Sequence, residues 1–197
     1  MNADSKNAAR HAELLDVAIS LFYEKGYAHT TLQDIADHMG FTKAAIYYYA
    51  KNKEELLIEN YAAIVEPATA QARQLASVTT MDGAGRFESI IDHHLRTFLR
   101  NIEANAVFEV QSTSLSPAGT ARIHELGRAY DTILRGVYQE GIDDGSLVPA
   151  EASVAVNAVI GMCNSVHRWF RPKGRYDVDQ VIDQLLSIIT SGVRRTR

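Results

Sequence analysis

The sequence predicts an all-α protein, and three observations carry that prediction. Apolar residues recur every three or four positions through most of the 197 residues, the spacing of one face of a helix. Prolines number only 4 while alanine and leucine are plentiful, so long helices are permitted almost everywhere. No segment alternates apolar and polar residues as a half-buried strand would, and no internal repeat competes.

Each element follows from a stripe and its stops. From about Ala8 to Lys25, the residues Leu14, Leu15, Ala18, Leu21 and Phe22 share a face, and Gly26 ends the first helix. Thr31-Leu32-Gln33-Asp34 opens the second, a hydroxyl cap with an acid three residues on. Its buried stripe is Leu32, Ile35, Ala36 and Met39, and Gly40 ends it. Thr42 caps a third helix from Lys43 to about Tyr49. Asn52-Lys53-Glu54-Glu55 opens a fourth carrying Leu56, Leu57, Tyr61 and Ile64, which Pro67 is expected to interrupt and kink.

Five further helices bring the total to about nine. Asp82 to Ile102 carries Phe87, Ile90, Ile91, Leu95, Phe98 and Leu99 at helical spacing. A short helix is expected near Ala106 to Thr113, and a long one runs from Pro117 to about Asp144-Gly145. The last two are Ala150 to Phe170 and Asp177 to about Arg194.

Composition bounds what such a protein can do. An apolar fraction of 46% and a charged fraction of 22% are those of an ordinary globular chain. With 24 acids against 20 bases the net charge is −4, so nucleic acid cannot be held by a general positive field. DNA binding would have to rest on local geometry: helix N-termini, a few lysines and hydroxyls, and doubling by a dimer. The N-terminal Met1-Asn2-Ala3-Asp4-Ser5-Lys6 is not a secretory start, and no run approaches the roughly 18 apolar residues of a membrane span. The single Cys163 excludes an internal disulfide and a multi-cysteine metal site. A soluble, cytoplasmic protein without cofactor or membrane partner is expected.

The densest pattern is Gly26 to Leu57. Ile35, Ala36, Met39, Phe41 and Ile46 supply a small core that would set the angle between two short helices, and Gly40 permits the turn between them. The second short helix then presents Lys43, Ala44, Ala45, Tyr47, Tyr48 and Tyr49. Three consecutive tyrosines spread over about 300° of a helix circumference, so a single neighbour cannot bury them all. Here the chain resembles the TetR family of bacterial transcriptional regulators. Gly26 with its following aromatic, Thr30-Thr31, Ile35-Ala36, Gly40, Thr42, Ile46-Tyr47, Lys53 and Leu56 carry the likeness. The rest of the chain is similar in helix number, length and order.

The resemblance implies an N-terminal three-helix helix-turn-helix domain, residues 1–52, and a C-terminal helical ligand-binding and dimerisation domain, residues 53–197. It also implies DNA contacts. Thr31 and Thr42 would meet phosphates; Lys43, Ala44, Ala45 and Tyr47 would face base edges or nearby backbone; Tyr48, Tyr49 and Lys53 would flank the groove. Small residues at 44 and 45 suit apolar contact with thymine methyls. The chain departs from the family at Ala44, often glycine, and at Ala50, often phenylalanine, so the junction to the fourth helix is expected to pack differently.

Outside this segment, Val178, Val181, Ile182, Leu185, Leu186 and Ile189 form an apolar stripe on the last helix. The helix before it carries the small residues Ala155, Ala158, Gly161 and Ser165. An intramolecular core explains both; in a TetR-like protein the two helices form a homodimer interface, whose twofold axis suits a palindromic DNA operator. His93-His94, Glu109 and His124 lack metal spacing, since adjacent histidines point about 100° apart on a helix, and the serines 112, 114 and 116 lack a nucleophile elbow. No enzyme is expected. The competing reading is a helical enzyme or small-molecule-binding module whose helix-turn-helix is only structural.

The stretch Val166 to Gly174 reads first as a helix end, with bases at the C-terminal dipole followed by Pro172 and Gly174. A similar W-F-R-P-x-G ending occurs in TetR-like regulators of lipid and sterol catabolism that sense acyl-CoA esters. That likeness implies an acyl-CoA effector, with Arg168 and Arg171 on its phosphates and Trp169 over its apolar part. Phe98, Phe108, Tyr130 and Met162, each on or beside an apolar stripe, are the expected pocket lining.

Overall fold

The computed structural model describes residues 3–194. Ten α-helical segments occur among them: α1 (Ala3–Lys25), α2 (Leu32–Met39), α3 (Lys43–Tyr49), α4 (Lys53–Ala76), α5 (Gly83–Arg100), α6 (Ile102–Gln111), α7 (Pro117–Asp143), α8 (Ala152–Asn164), α9 (Val166–Trp169) and α10 (Val178–Val193). The single turn α9 continues α8 after a break at Ser165, which leaves nine main helices and an all-α fold. The chain divides into two compact units. One takes the chain up to Ala63 with Glu103–His124; the other takes Ile64–Ile102 with the chain from Glu125 onward.

The first unit is held by short-range signals. Thr31 caps α2 in a reciprocal box: its hydroxyl accepts from the Asp34 N–H at 3.1 Å, and the Asp34 carboxylate accepts from the Thr31 N–H at 2.8 Å. At the other end Gly40 is left-handed, φ 66°, and the Phe41 N–H reaches back to the Ala36 carbonyl at 2.8 Å. That bond closes the helix and turns the chain toward α3. Leu14, Ala18 and Phe22 of α1, Ile35 and Ala36 of α2, Ile46 of α3, and Leu56 and Leu57 of α4 are buried in this unit.

In the second unit α5 supplies the central stripe. Phe87, Ile90, Ile91 and Leu95 are all but fully buried and belong to one core with Leu134 and Tyr138 of α7, Val156 and Val159 of α8, and Ile182 and Leu185 of α10. Asp177 caps α10 in a second reciprocal box with Gln180. Where α5 begins, the Gly83 N–H donates to the Asp144 carboxylate at 2.7 Å and the Ala84 N–H to the Ser146 hydroxyl at 2.9 Å. The turn after α7 thereby satisfies the first donors of α5, which have no partner in their own helix. Hydrogen bonding from Ser146 to the Asp144 carboxyl, first, and the bond from the Gly83 N–H, after it, hold that carboxyl below the usual range.

Three expectations are corrected. Pro67 does not interrupt α4, which runs unbroken from Lys53 to Ala76. A proline strands the carbonyl four residues before it, here that of Ala63, and Ala63 is exposed, so solvent can satisfy that group. The helix expected from Ala150 to Phe170 is instead two, because the Ser165 hydroxyl turns back onto the Met162 carbonyl at 2.8 Å. The short helix expected near Ala106 begins earlier, at Ile102.

Candidate nucleic-acid interface and interior polar cluster

Helix α3 divides its residues by depth. Ile46 is fully buried and fixes the helix against the core, and Ala50 just beyond it is buried too. Lys43 and Ala44 are exposed and Ala45 is half-buried. Tyr47 and Tyr48 are 52% and 76% exposed. Tyr49 turns the other way: its ring stacks on Phe41 at 5.5 Å and its hydroxyl donates to Asn7 at 2.9 Å. One tyrosine of the three is therefore committed to packing against α1, and two large aromatic rings are left in solvent.

The hydroxyls and lysines around α3 are not equivalent. Thr42 accepts the Ala45 N–H at 3.2 Å, and among the described residues its own hydrogen has no acceptor and can donate outward. Thr31 spends its hydrogen on Asp34, whose carboxyl is held low first by that hydroxyl and then by the Thr31 N–H. Lys53 is the larger surprise. Its ammonium donates to the carbonyls of Tyr27, Ala28 and Thr30 and stands 4.4 Å over the Tyr27 ring. All three of its donors are engaged within the fold, where they tie down the turn that leads into α2. Lys43, Lys51 and Lys53 nonetheless share a concave patch of about 330 Å³ with Thr31, Gln33 and Tyr47.

A residue absent from the sequence-derived set supports the same surface. Arg10 of α1 donates to the Met39 carbonyl at 2.9 Å and lies 4.9 Å over the Phe41 ring, fastening the end of α2. Its local partner, Glu13 at 2.6 Å, does not mark this role, since Met39 and Phe41 arrive only through the fold.

The second unit contains a polar cluster within an apolar core. His94 of α5 meets the Tyr130 hydroxyl of α7 at 3.1 Å through Nδ1 and the Asn164 side-chain oxygen of α8 at 3.0 Å through Nε2. Phe98 lies alongside the imidazole, 6.1 Å from ring to ring. Burial lowers the His94 pKa, so the ring is held neutral. Burial likewise raises the Tyr130 hydroxyl and pushes the Cys163 thiol up to about 12, so neither ionises near neutral pH.

The residues expected to line one pocket are dispersed. Phe98 and Tyr130 do come together around His94. Phe108 belongs to the other unit, where it stacks on Tyr61 at 4.4 Å. Met162 is exposed, because it precedes the buried Cys163 by one position and so lies about 100° round the helix from it. Trp169 is 50% exposed; Arg168 and Arg171 are exposed as well, and Arg171 donates to the Phe170 carbonyl at 2.9 Å.

The stripe expected to face a partner is also reassigned. Val181, Ile182, Leu185 and Ile189 are buried in the core of their own unit. The outward apolar residues are Ile188 and Val178 on α10, and Val154 and Met162 with Ala158 and Gly161 on α8.

Two family models match the chain. Residues 14–59 match that of the bacterial regulatory proteins of the tetR family, and residues 80–193 match the tetracyclin repressor-like C-terminal domain. The chain belongs to the TetR family. This regulator is 26% identical over 191 residues to the HTH-type transcriptional repressor KstR2 of Rhodococcus jostii, covering 96% of this chain and 93% of that protein. It is 36% identical to a solved TetR/AcrR-family transcriptional regulator of Thermobifida fusca, with a TM-score of 0.75, 95% of this chain and all of that one covered. It shares its fold, at 22% identity and a TM-score of 0.76 over 91% of this chain and 97% of the other, with AibR, solved in complex with isovaleryl coenzyme A and operator DNA. Transcriptional regulation, not enzymatic catalysis, is the activity of the family. Among the described residues no helix is long and apolar enough to cross a membrane.

Proposed function

We propose that this regulator is a cytoplasmic homodimeric repressor that reads a palindromic operator through paired α3 helices and releases it when an acyl-CoA ester binds. Residues 1–52 serve as the reading head, and residues 53–197 take the effector and the second subunit. The observation that carries the DNA-reading half is the division of α3, with Ile46 buried and Lys43, Ala44, Tyr47 and Tyr48 turned outward. The Tyr47 and Tyr48 rings stay more than half exposed although Tyr48 meets Tyr49 edge to face, and such rings suit contact with sugar, phosphate and base edges. Thr42 adds a free hydroxyl hydrogen for a phosphate, and Ala45 completes the small surface for thymine methyls. Thr31, Tyr49 and Lys53 act mainly by positioning, since their polar groups are already engaged.

Dimerisation is supported by the outward face of α8, which carries no charged residue and where Gly161 has open space around it, and by Ile188 of α10, 57% exposed. The acyl-CoA reading is supported by Arg168, Trp169 and Arg171 at the end of α9, followed by the exposed Lys173 and Arg175. A half-exposed tryptophan among bases suits an adenine or pantetheine surface with phosphates nearby. The fold itself is one that holds a coenzyme A thioester in AibR. Effector binding must favour a form whose two reading heads no longer fit the operator, and each tenfold preference contributes about 1.4 kcal/mol toward release.

Fluorescence anisotropy with the duplex upstream of the protein's own gene tests this. Lys43→Ala should weaken binding and lower the salt slope by about 1. Unchanged affinity and slope in both Lys43→Ala and Tyr47→Ala would overturn the reading head. A panel of acyl-CoA esters that neither shifts the melting temperature nor releases DNA would overturn the effector and leave the repressor standing.

A further inference from the structure

We infer that Gln33 reads an adenine in the operator half-site, with Asp37 holding its amide in place; this rests on the DNA-reading half of the proposed function and adds a specificity residue to it. Gln33 is exposed, the second residue of α2, and lines the hollow of about 330 Å³ that Lys43 and Tyr47 of α3 also line. Whatever part of a duplex meets the outward face of α3 therefore passes beside this amide.

Most polar side chains around the hollow are donors. Among the described residues the ammonium groups of Lys43 and Lys51 have no acceptor. Asn52 spends its side-chain oxygen on the Glu55 N–H at 2.9 Å and keeps its amide hydrogens. Thr31 and Lys53 are engaged within the fold. Free donors of this kind suit phosphate oxygens, which only accept. Gln33 is different. Its Nε2 donates to the Asp37 carboxylate at 2.7 Å, one turn along α2, which leaves the second amide hydrogen and Oε1. Neither has a partner among the described residues.

An acceptor on a wall that faces DNA has few possible mates. Phosphate and deoxyribose oxygens within a strand carry no hydrogen, so in the major groove only the amino groups of adenine and cytosine can donate to Oε1. Cytosine would leave the remaining Gln33 hydrogen without an acceptor. Adenine presents its N6 amino group beside the N7 acceptor, and a glutamine amide matches both at once. No residue of α3 offers such a pair: Lys43 only donates, and Ala44 and Ala45 carry no polar side-chain atom. Asp37 decides which way the amide points. A carboxylate is an acceptor, so the nitrogen and not the oxygen must face it, and Oε1 is turned away toward solvent. A duplex that covers the amide without pairing it forfeits the bonds Gln33 makes to water, which is the source of discrimination.

The test uses the full-length protein and the duplex upstream of its own gene, with the half-sites located by footprinting. Each base pair of one half-site is replaced in turn. Fluorescence anisotropy at one salt concentration gives the affinities, and circular dichroism reports whether each variant is folded. In the wild type, replacing one A·T pair by G·C should cost on the order of tenfold. Gln33→Ala should reduce the penalty at that pair to within about twofold and leave the other penalties and the salt slope as they were. Asp37→Ala should narrow the same penalty without weakening binding to the altered duplex, because a negative charge leaves the surface that faces phosphates. A penalty unchanged in Asp37→Ala overturns the positioning role of that residue. A folded Gln33→Ala protein that keeps every penalty overturns the inference, as does one that binds all duplexes equally more weakly, the mark of a phosphate contact. A penalty lost at a G·C pair overturns it too, and in each of these cases the reading head stands. Failure of the wild type to bind any duplex overturns the DNA-reading proposal, and this inference with it.

Discussion

Gly83→Ala places one methyl group where the backbones of α5 and α7 meet. A Cβ at Gly83 would sit 2.3 Å from the Gly141 Cα and 2.4 Å from its N, both main-chain atoms that no rotamer change can move. Bringing the shorter contact even to 3.0 Å requires the helices to part by about 0.7 Å, a gap that forfeits a quarter to a half of the dispersion energy across it. The bonds from the Gly83 and Ala84 N–H groups to Asp144 and Ser146 lie in the same joint, as does the edge contact between Phe87 and the buried Tyr138. Overpacking of this kind costs about 3 kcal/mol, and removing a glycine from a helix returns about 1, for a net loss near 2 kcal/mol. For a chain of this length that is a fall of roughly 4–8 °C in melting temperature. Gly136→Ala in α7 is the control: nothing lies within 4 Å of its Cβ position, so the same change should stabilise by about 0.5–1 kcal/mol. Circular-dichroism melts at one fixed protein concentration would compare the three proteins, since association raises the apparent stability. A Gly83→Ala protein that melts at or above the wild-type temperature would refute the reasoning.

Other outcomes follow from the same geometry. Lys53→Met should lower stability by roughly 1–2 kcal/mol because three carbonyls lose a charged donor; a lysine that met only phosphate would leave the melting curve in place. Ile188→Asp should yield folded monomers that bind operator weakly, whereas Leu185→Asp should unfold the chain, and analytical ultracentrifugation with circular dichroism separates the two. A folded, monomeric Leu185→Asp would contradict the inward placement of that side chain. Stability should fall as pH drops below about 7, through the unfolded-state histidine value near 6.5. Burial lowers the pKa of both His93 and His94 in the folded protein, with Arg100 adding to the effect at His93, so the unfolded chain binds more protons there. His94→Gln should flatten that dependence, and equal slopes between pH 5.5 and 7.5 in the two proteins would count against it.

The surface around α3 was largely legible because its signals are local. Thr31 with Asp34, Phe41 with Ala36, and Thr42 with Ala45 act across five residues or fewer, and the bounds of α3 match the sequence reading residue for residue. Lys53 and Tyr49 were harder, because a lysine or tyrosine beside an exposed helix looks the same whether it faces solvent or folds back. Their partners, Thr30 and Asn7, stand 23 and 42 residues away. Phe98 and Tyr130 were found as members of apolar stripes, but His94 gave no sign of joining them and Asn164 none at all.

The sequence by itself determined most of the helices, the caps of α2 and α3, the helix-turn-helix and membership of the TetR family, since each is written in patterns among near neighbours in the chain. Only the tertiary structure decided what covers each apolar stripe. Periodicity states that one side of α10 avoids water; it is equally satisfied by a partner subunit or by α5, and packing assigned Ile182 and Leu185 to the core. The same holds for the polar cluster, whose members are separated by 36 and 70 residues and share no spacing. Hydrogen bonds between distant residues are fixed by how three helices pack, and a one-dimensional pattern contains no record of that distance.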